Sequence, residues 1–142
     1  MKAFLLTLFL FTCSGWLMAQ SPATFMVVGE DTNREIVAKG GRLDISKIKV
    51  ENITKNTIYL AWETVYNSFP KAWDCSMCQH GDCQIGIPKG SEFKALRADQ
   101  QGFIAIHVMP GNYSGEGVVK FKIYDKEHPE FYETLTFEVE VQ

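Results

Sequence analysis

Apolar and polar residues alternate with a period of two along most of this chain, the spacing of half-buried β-strands rather than of helices. Ile58, Leu60, Trp62 and Thr64 share one face, with Tyr59, Ala61, Glu63 and Val65 on the other. Ile104, Ile106 and Val108 alternate with Phe103, Ala105 and His107, and Val119, Phe121 and Ile123 alternate with Lys120 and Lys122. Leu135, Phe137, Val139 and Val141 alternate with Thr136, Glu138 and Glu140. Turn-forming residues punctuate these runs at Gly40-Gly41, Pro88-Lys89-Gly90, Pro110-Gly111-Asn112 and Gly115-Glu116-Gly117. The pattern predicts strands near 24–29, 34–38, 46–53, 57–66, 83–87, 92–97, 102–109, 117–125 and 133–141. Ser91 to Ala98 offers only Phe93 and Leu96 to a helical face, at most one turn. Short strands at regular spacing without helices between them predict an all-β fold, a single antiparallel β-sandwich of about 7–9 strands.

The last two strands carry the most geometry. A connection containing His128-Pro129 is short, so Val118 to Tyr124 and Thr134 to Val141 should pair antiparallel. Their apolar residues then face the core together. Lys120 and Lys122 are expected across from Thr136, Glu138 and Glu140, a charged outer face that suits a partner poorly. Partner contacts are therefore expected at the loops or at another strand edge.

Residues 1–20 break the alternation. Lys2 gives a short positive start, Ala3 to Phe11 is nearly all apolar, and small or polar residues lead to Leu17-Met18-Ala19-Gln20. These are the three regions of a secretory signal peptide. The expectation is a leader over 1–19, cleavage after Ala19, and one domain over 20–142. The apolar run is shorter than the roughly 20 residues a spanning helix needs, so no transmembrane segment is expected. A lipid anchor on Cys13 is the competing reading; Phe11-Thr12 precede it, where bacterial lipoprotein signals place a small residue.

Charge excludes one class of partner. The chain has 14 basic and 17 acidic residues, a formal net charge of −3, with no Lys/Arg run. Nucleic-acid binding is not expected. No catalytic signature stands out either. His107 lies on an outward face and His128 in an expected turn, neither beside a nucleophile. No G-x-S-x-G elbow is present. The scattered carboxylates single out no acid pair, and Glu30-Asp31 and Asp125 form no D-x-D-x-D calcium ladder. Asn52-Ile53-Thr54 and Asn112-Tyr113-Ser114 are glycosylation sequons, of consequence only in a eukaryotic host, whereas the leader has a bacterial character. Tyr66, Trp73 and Tyr113 fall at expected loop edges, as binding aromatics or as caps on the core.

The arrangement resembles an immunoglobulin-like sandwich. Trp62 sits mid-strand as that fold's core tryptophan does, without the paired cysteines that flank it in antibody domains. Ile58 to Pro88, with Trp62, Pro70, Trp73, Cys78 and Cys83, is similar to a β-sandwich domain of secreted and envelope proteins of Bacteroidota. Those domains carry a tryptophan-containing strand, a proline, a second tryptophan and a short C-to-C loop. Cys75 is extra to that pattern. The resemblance implies a fold and an exported location, and no activity.

The cysteine segment Trp73-Asp74-Cys75-Ser76-Met77-Cys78-Gln79-His80-Gly81-Asp82-Cys83 admits several chemistries. A disulfide joining Cys78 to Cys83 is the leading one, with Gly81 and Asp82 in a tight turn and Cys75 as a free or exchangeable thiol. A redox pair of Cys75 and Cys78 has C-x-x-C spacing, but the following residues do not open the helix that would activate it. A zinc or copper site would take Cys75, Cys78, His80 and Cys83. Haem attachment is excluded, because Gln79 rather than histidine follows Cys78.

The sequence thus predicts an exported, periplasmic or extracellular, non-enzymatic binding or structural module with no cofactor. Its expected partner is another envelope protein or a glycan. The alternative is a small periplasmic thiol or metal-binding protein built on Cys75 to Cys83.

Overall fold

The computed structural model describes residues 23–41 and 46–142. The expected leader over 1–19, its cleavage point and Cys13 lie outside the described residues.

Ten strands follow one another in the chain: β1 (Phe25–Val28), β2 (Thr32–Val37), β3 (Ser46–Asn52), β4 (Leu60–Asn67), β5 (Asp74–Gln79), β6 (Asp82–Ile85), β7 (Gly90–Glu92), β8 (Gln101–Met109), β9 (Gly115–Asp125) and β10 (His128–Val141). They form two five-stranded sheets, ordered β1-β3-β8-β5-β6 and β2-β10-β9-β4-β7. Among the described residues there is no helix, and hence none long and apolar enough to cross a membrane.

Set against the immunoglobulin plan of A-B-E-D facing G-F-C, β1-β3-β8-β5 and β10-β9-β4 take those places. Trp62 then stands on the strand where that fold keeps its core tryptophan. The expected all-β sandwich is therefore present, with one departure from a purely antiparallel arrangement. The first strand divides between the sheets: β1 pairs antiparallel with β3, and β2 runs parallel to β10.

The alternation determines what is buried. Trp62, Phe121 and Phe137 fill the space between the sheets, with ring centroids 5.4 Å apart for Trp62–Phe121 and 5.9 Å for Phe121–Phe137, both edge to face. Trp62 is 1% exposed. Leu60, Met77, Ile104, Ile106, Ile123 and Leu135 complete the centre. Such aromatic pairs contribute roughly 0.5–1.5 kcal/mol beyond their buried area.

The β9–β10 hairpin is antiparallel as expected, but two of its details differ. Its turn is Lys126-Glu127, and His128 already pairs with Asp125 as the first residue of β10. The register shifts between His128 and Tyr132, where Pro129 has no N–H to give to the ladder. The expected lysine–glutamate ladder does not form. Lys120 lies across from Thr136, Lys122 across from Thr134, and Glu138 across from Val118. Glu138 instead pairs with Arg34 of the edge strand β2, while Lys122 lies 5.1 and 4.7 Å from the ring centres of Tyr124 and Tyr132.

Candidate functional site

The cysteine segment is a hairpin rather than a loop. β5 pairs with both β8 and β6, which a sequence rich in Asp, Ser and Gln does not announce. Along β5, Cys75, Met77 and Gln79 point to the core side, and Asp74, Ser76 and Cys78 point away from it. The two-residue turn His80-Gly81 joins β5 to β6, with Gly81 at φ 95°, a conformation open mainly to glycine. Cys78 and Cys83 are direct cross-strand partners, their Cα atoms 4.0 Å apart, and are joined as a disulfide.

This geometry separates the chemistries left open by spacing. Residues three apart on a strand face opposite sides, so Cys75 and Cys78 are not a dithiol pair. The same parity keeps Cys75 away from the proposed metal set, and the disulfide occupies two more of its four ligands. Among the described residues, no group of three or more His, Cys, Asp or Glu side chains is placed to hold a metal ion. Cys75 is a half-buried free thiol beside the core. Burial, aided by the charge of Asp74, pushes its pKa up to about 11, the environment of an inert cysteine.

The expected aromatics diverge. Tyr66 and Tyr113 are exposed, whereas Trp73 is 5% exposed and belongs to the core. Trp73 packs with Phe69, ring centroids 5.6 Å apart, and its indole Nε1–H donates to the Tyr113 carbonyl at 3.2 Å. Gly117 makes room for both rings: a Cβ there would come within 2.6 Å of Phe69 and 3.2 Å of Trp73. Pro70 and Trp73 thus pack near Gly115 and Gly117 at the start of β9, while Trp62 sits at the centre of the core. His107 is half-buried on β8, and Asp125 is buried, accepting the Glu127 N–H at 3.0 Å inside the hairpin turn.

Two buried polar residues escaped the sequence reading. Gln79 crosses from one sheet to the other. Its Oε1 accepts from Trp62 Nε1–H, and its Nε2 donates to the Glu92 carbonyl at 2.9 Å and lies 3.5 Å from Ser91 Oγ. A polar residue at a core-facing position was the available signal, since a buried tryptophan needs an acceptor for its N–H. Asn52 is wholly buried rather than a glycan acceptor. Its Nδ2 donates to the carbonyls of Asn56 at 2.7 Å and Leu96 at 2.9 Å, and its Oδ1 accepts from Thr54 N–H and Oγ1–H, each at 2.8 Å.

The hairpin lies at one side of the molecule, where β6 ends its sheet and β7 ends the other. Ile85 there is 98% exposed. Beside the hairpin turn runs an open groove of about 530 Å³, lined by His80, Lys94, Ala95, Arg97, Ala98 and Gln100.

No family model matches the chain, and no curated protein matches it in sequence. Solved structures match in fold. The N-terminal domain of PorA superposes with a TM-score of 0.58 at 13% identity, over 83% of this chain and 97% of that one. A PapD-like domain of human CEP192 gives 0.51 at 13% identity, over 100% and 95% of the two chains. A family 123 glycoside hydrolase from Clostridium perfringens gives 0.53 at 12% identity, but this chain spans only 23% of that enzyme. At such identities the likeness is one of architecture. The chain is an immunoglobulin-like β-sandwich carrying a disulfide.

Proposed function

We propose that this chain is an exported binding module of the cell envelope or exterior. In this reading it has no catalytic role and engages another envelope protein or a glycan through the side formed by the β5–β6 hairpin and its neighbouring loops. One observation carries the reading. The hairpin is stapled by Cys78–Cys83 yet contributes its β6 half almost wholly to the surface. A domain of this size buries about two thirds of its surface without a staple. A bond that fixes an exposed edge therefore serves the shape of that edge. Structural disulfides persist in oxidising compartments, in keeping with the leader-like residues 1–19.

The test is recovery of the protein from its native cells after thiols are blocked in situ. The expected product begins at Gln20, lies in the periplasmic, envelope or extracellular fraction, and has Cys75 alone alkylated once a second, distinguishable alkylating agent is added to the unfolded, unreduced chain. Recovery from the cytosol with Cys75, Cys78 and Cys83 all alkylated refutes the reading. Cross-linking in those cells should capture a partner that Ile85→Asp releases without lowering the melting temperature; capture undiminished by Ile85→Asp places the contact elsewhere and refutes this choice of side.

A further inference from the structure

The groove beside the hairpin turn concentrates positive charge in a chain whose net charge is negative. Lys94 and Arg97 are both exposed on its rim. Among the described residues neither makes an ion pair, whereas Arg34 and Lys126 each have a carboxylate partner. None of the residues lining the groove is acidic, and the one carboxylate in its wall segment is the exposed Asp99, between Ala98 and Gln100. Ala95 and Ala98 keep the floor low and open between the cationic side chains.

Both walls are held in place. The disulfide fixes one, two residues from its turn at His80-Gly81, and the stem of Lys94 lies so close to that turn that a Cβ on Gly81 would come within 2.5 Å of Lys94 Cδ. The other wall is the segment from Leu96 to Gln100, tied down by Asn52 from beneath: Asn52 Nδ2 holds the Leu96 carbonyl, Asn52 N–H donates to Gln100 O at 3.1 Å, and Asp99 N–H donates to Asn52 O at 3.2 Å. Gln100 is oriented as well. Its Oε1 accepts the Arg97 backbone N–H at 3.0 Å, which turns its amide N–H₂ toward His80, 3.4 Å away. His80 is steadied by its own backbone bond to Phe103 O at 2.9 Å and by the edge-to-face contact of its ring with Phe103. A guanidinium fork, an ammonium, an amide and an imidazole thus border one open space on rigid supports.

We infer that this groove binds an oxyanion, a carboxylate, phosphate or sulfate group, with Arg97 and Lys94 as its charged donors and Gln100 and His80 completing the rim. Arginine matches such anions through two parallel N–H bonds, and lysine adds a point charge. The inference rests on the reading of this side as the binding side and names the chemistry it takes.

The experiment is an NMR titration of the purified, oxidised protein with inorganic phosphate, sulfate and glucuronate, at ionic strength held constant with chloride. Expected are saturable amide shifts at His80, Gly81, Lys94, Arg97 and Gln100, with a Kd on the order of millimolar for an isolated anion. Arg97→Ala and Lys94→Ala should each weaken binding by about tenfold, the loss of one charge-assisted donor, while Lys120→Ala on the far sheet leaves it unchanged. Saturation by glucuronate alone identifies a carboxylate source, and saturation by the tetrahedral anions a phosphate or sulfate ester. Failure of all three to saturate, or equal weakening by Lys120→Ala, overturns the inference. Neither result depends on the compartment of the protein, so it leaves the export reading standing.

Discussion

Replacing Gln79 by leucine tests whether the hydrogen bonds crossing the sandwich stabilise it. The two side chains are close in volume, so packing changes little and the polar effect dominates. Two groups lose their partners: the Trp62 indole N–H and the Glu92 carbonyl. The buried indole N–H left unpaired costs about 1–3 kcal/mol, and the part-buried Glu92 carbonyl adds at most about as much. The leucine recovers about 1–2 kcal/mol by burying apolar surface. The net expectation is a loss of up to about 5 kcal/mol, set against the roughly 5–15 kcal/mol typical of a domain. Urea unfolding followed by tryptophan fluorescence would read it as a lower midpoint at unchanged slope. The double variant sharpens the test. Trp62→Phe removes the donor, so Gln79→Leu should cost about 1–3 kcal/mol less in that background. Additive losses would show that Gln79 fills space without bonding across the core, and the argument would fail.

Trp62→Ala should cost about 3–5 kcal/mol, from lost burial, the cavity left beside Phe121 and the orphaned Gln79 Oε1; a near-neutral melting shift refutes the packing argument. Cys78→Ala with Cys83→Ala should lower stability by about 2 kcal/mol, the loop-closure value for so short a ring, with the sheet signature in circular dichroism retained; loss of that signature would mean the staple is needed to fold. Cys75 supplies a pH dependence. Its pKa is raised from 9.0 to about 11 in the folded chain, so the folded state holds this proton more tightly than the unfolded one. Its contribution is fully present below pH 9.0 and is lost as pH rises through about 11. Cys75→Ala should therefore flatten the decline in stability across that interval, measured by urea midpoints; an unchanged slope would place the thiol in water.

Strand parity made most of the fold legible. β3, β9 and the second half of β10 alternate cleanly, β4 and β8 do so apart from the buried alanines Ala61 and Ala105, and Trp62 is placed in the core by its neighbours Ile58 and Leu60 alone. The split first strand was not legible, because nothing in Phe25 to Val37 distinguishes pairing with β3 from pairing with β10. β5 was missed for a different reason. Its inward residues are Cys75, Met77 and Gln79, and only one of the three reads as apolar core. The hairpin turn at Lys126-Glu127 was displaced in the reading by Pro129, a turn residue elsewhere but here a break in an edge of the ladder.

Parity also explains why the site was half legible. Cys78 and Cys83 flank a four-residue segment whose centre is His80-Gly81, and a two-residue turn makes residues at equal distance from it direct partners. Their joining follows from that symmetry once β5 and β6 are strands. Cys75 is three residues earlier on the same strand, so it must face the other way, and no rotation of its side chain brings it to Cys78. The redox alternative therefore fails on a geometric fact that spacing alone conceals, and the metal set loses Cys75 to the same fact and Cys78 and Cys83 to the disulfide. The oxyanion groove could not be read at all. Lys94 and Arg97 are near neighbours in sequence, but their companion His80 comes from a different turn. One wall depends on Asn52, a buried side chain that the sequence showed only as part of a sequon. That amide holds the segment that carries Arg97, while Lys94 stands against the hairpin turn at Gly81.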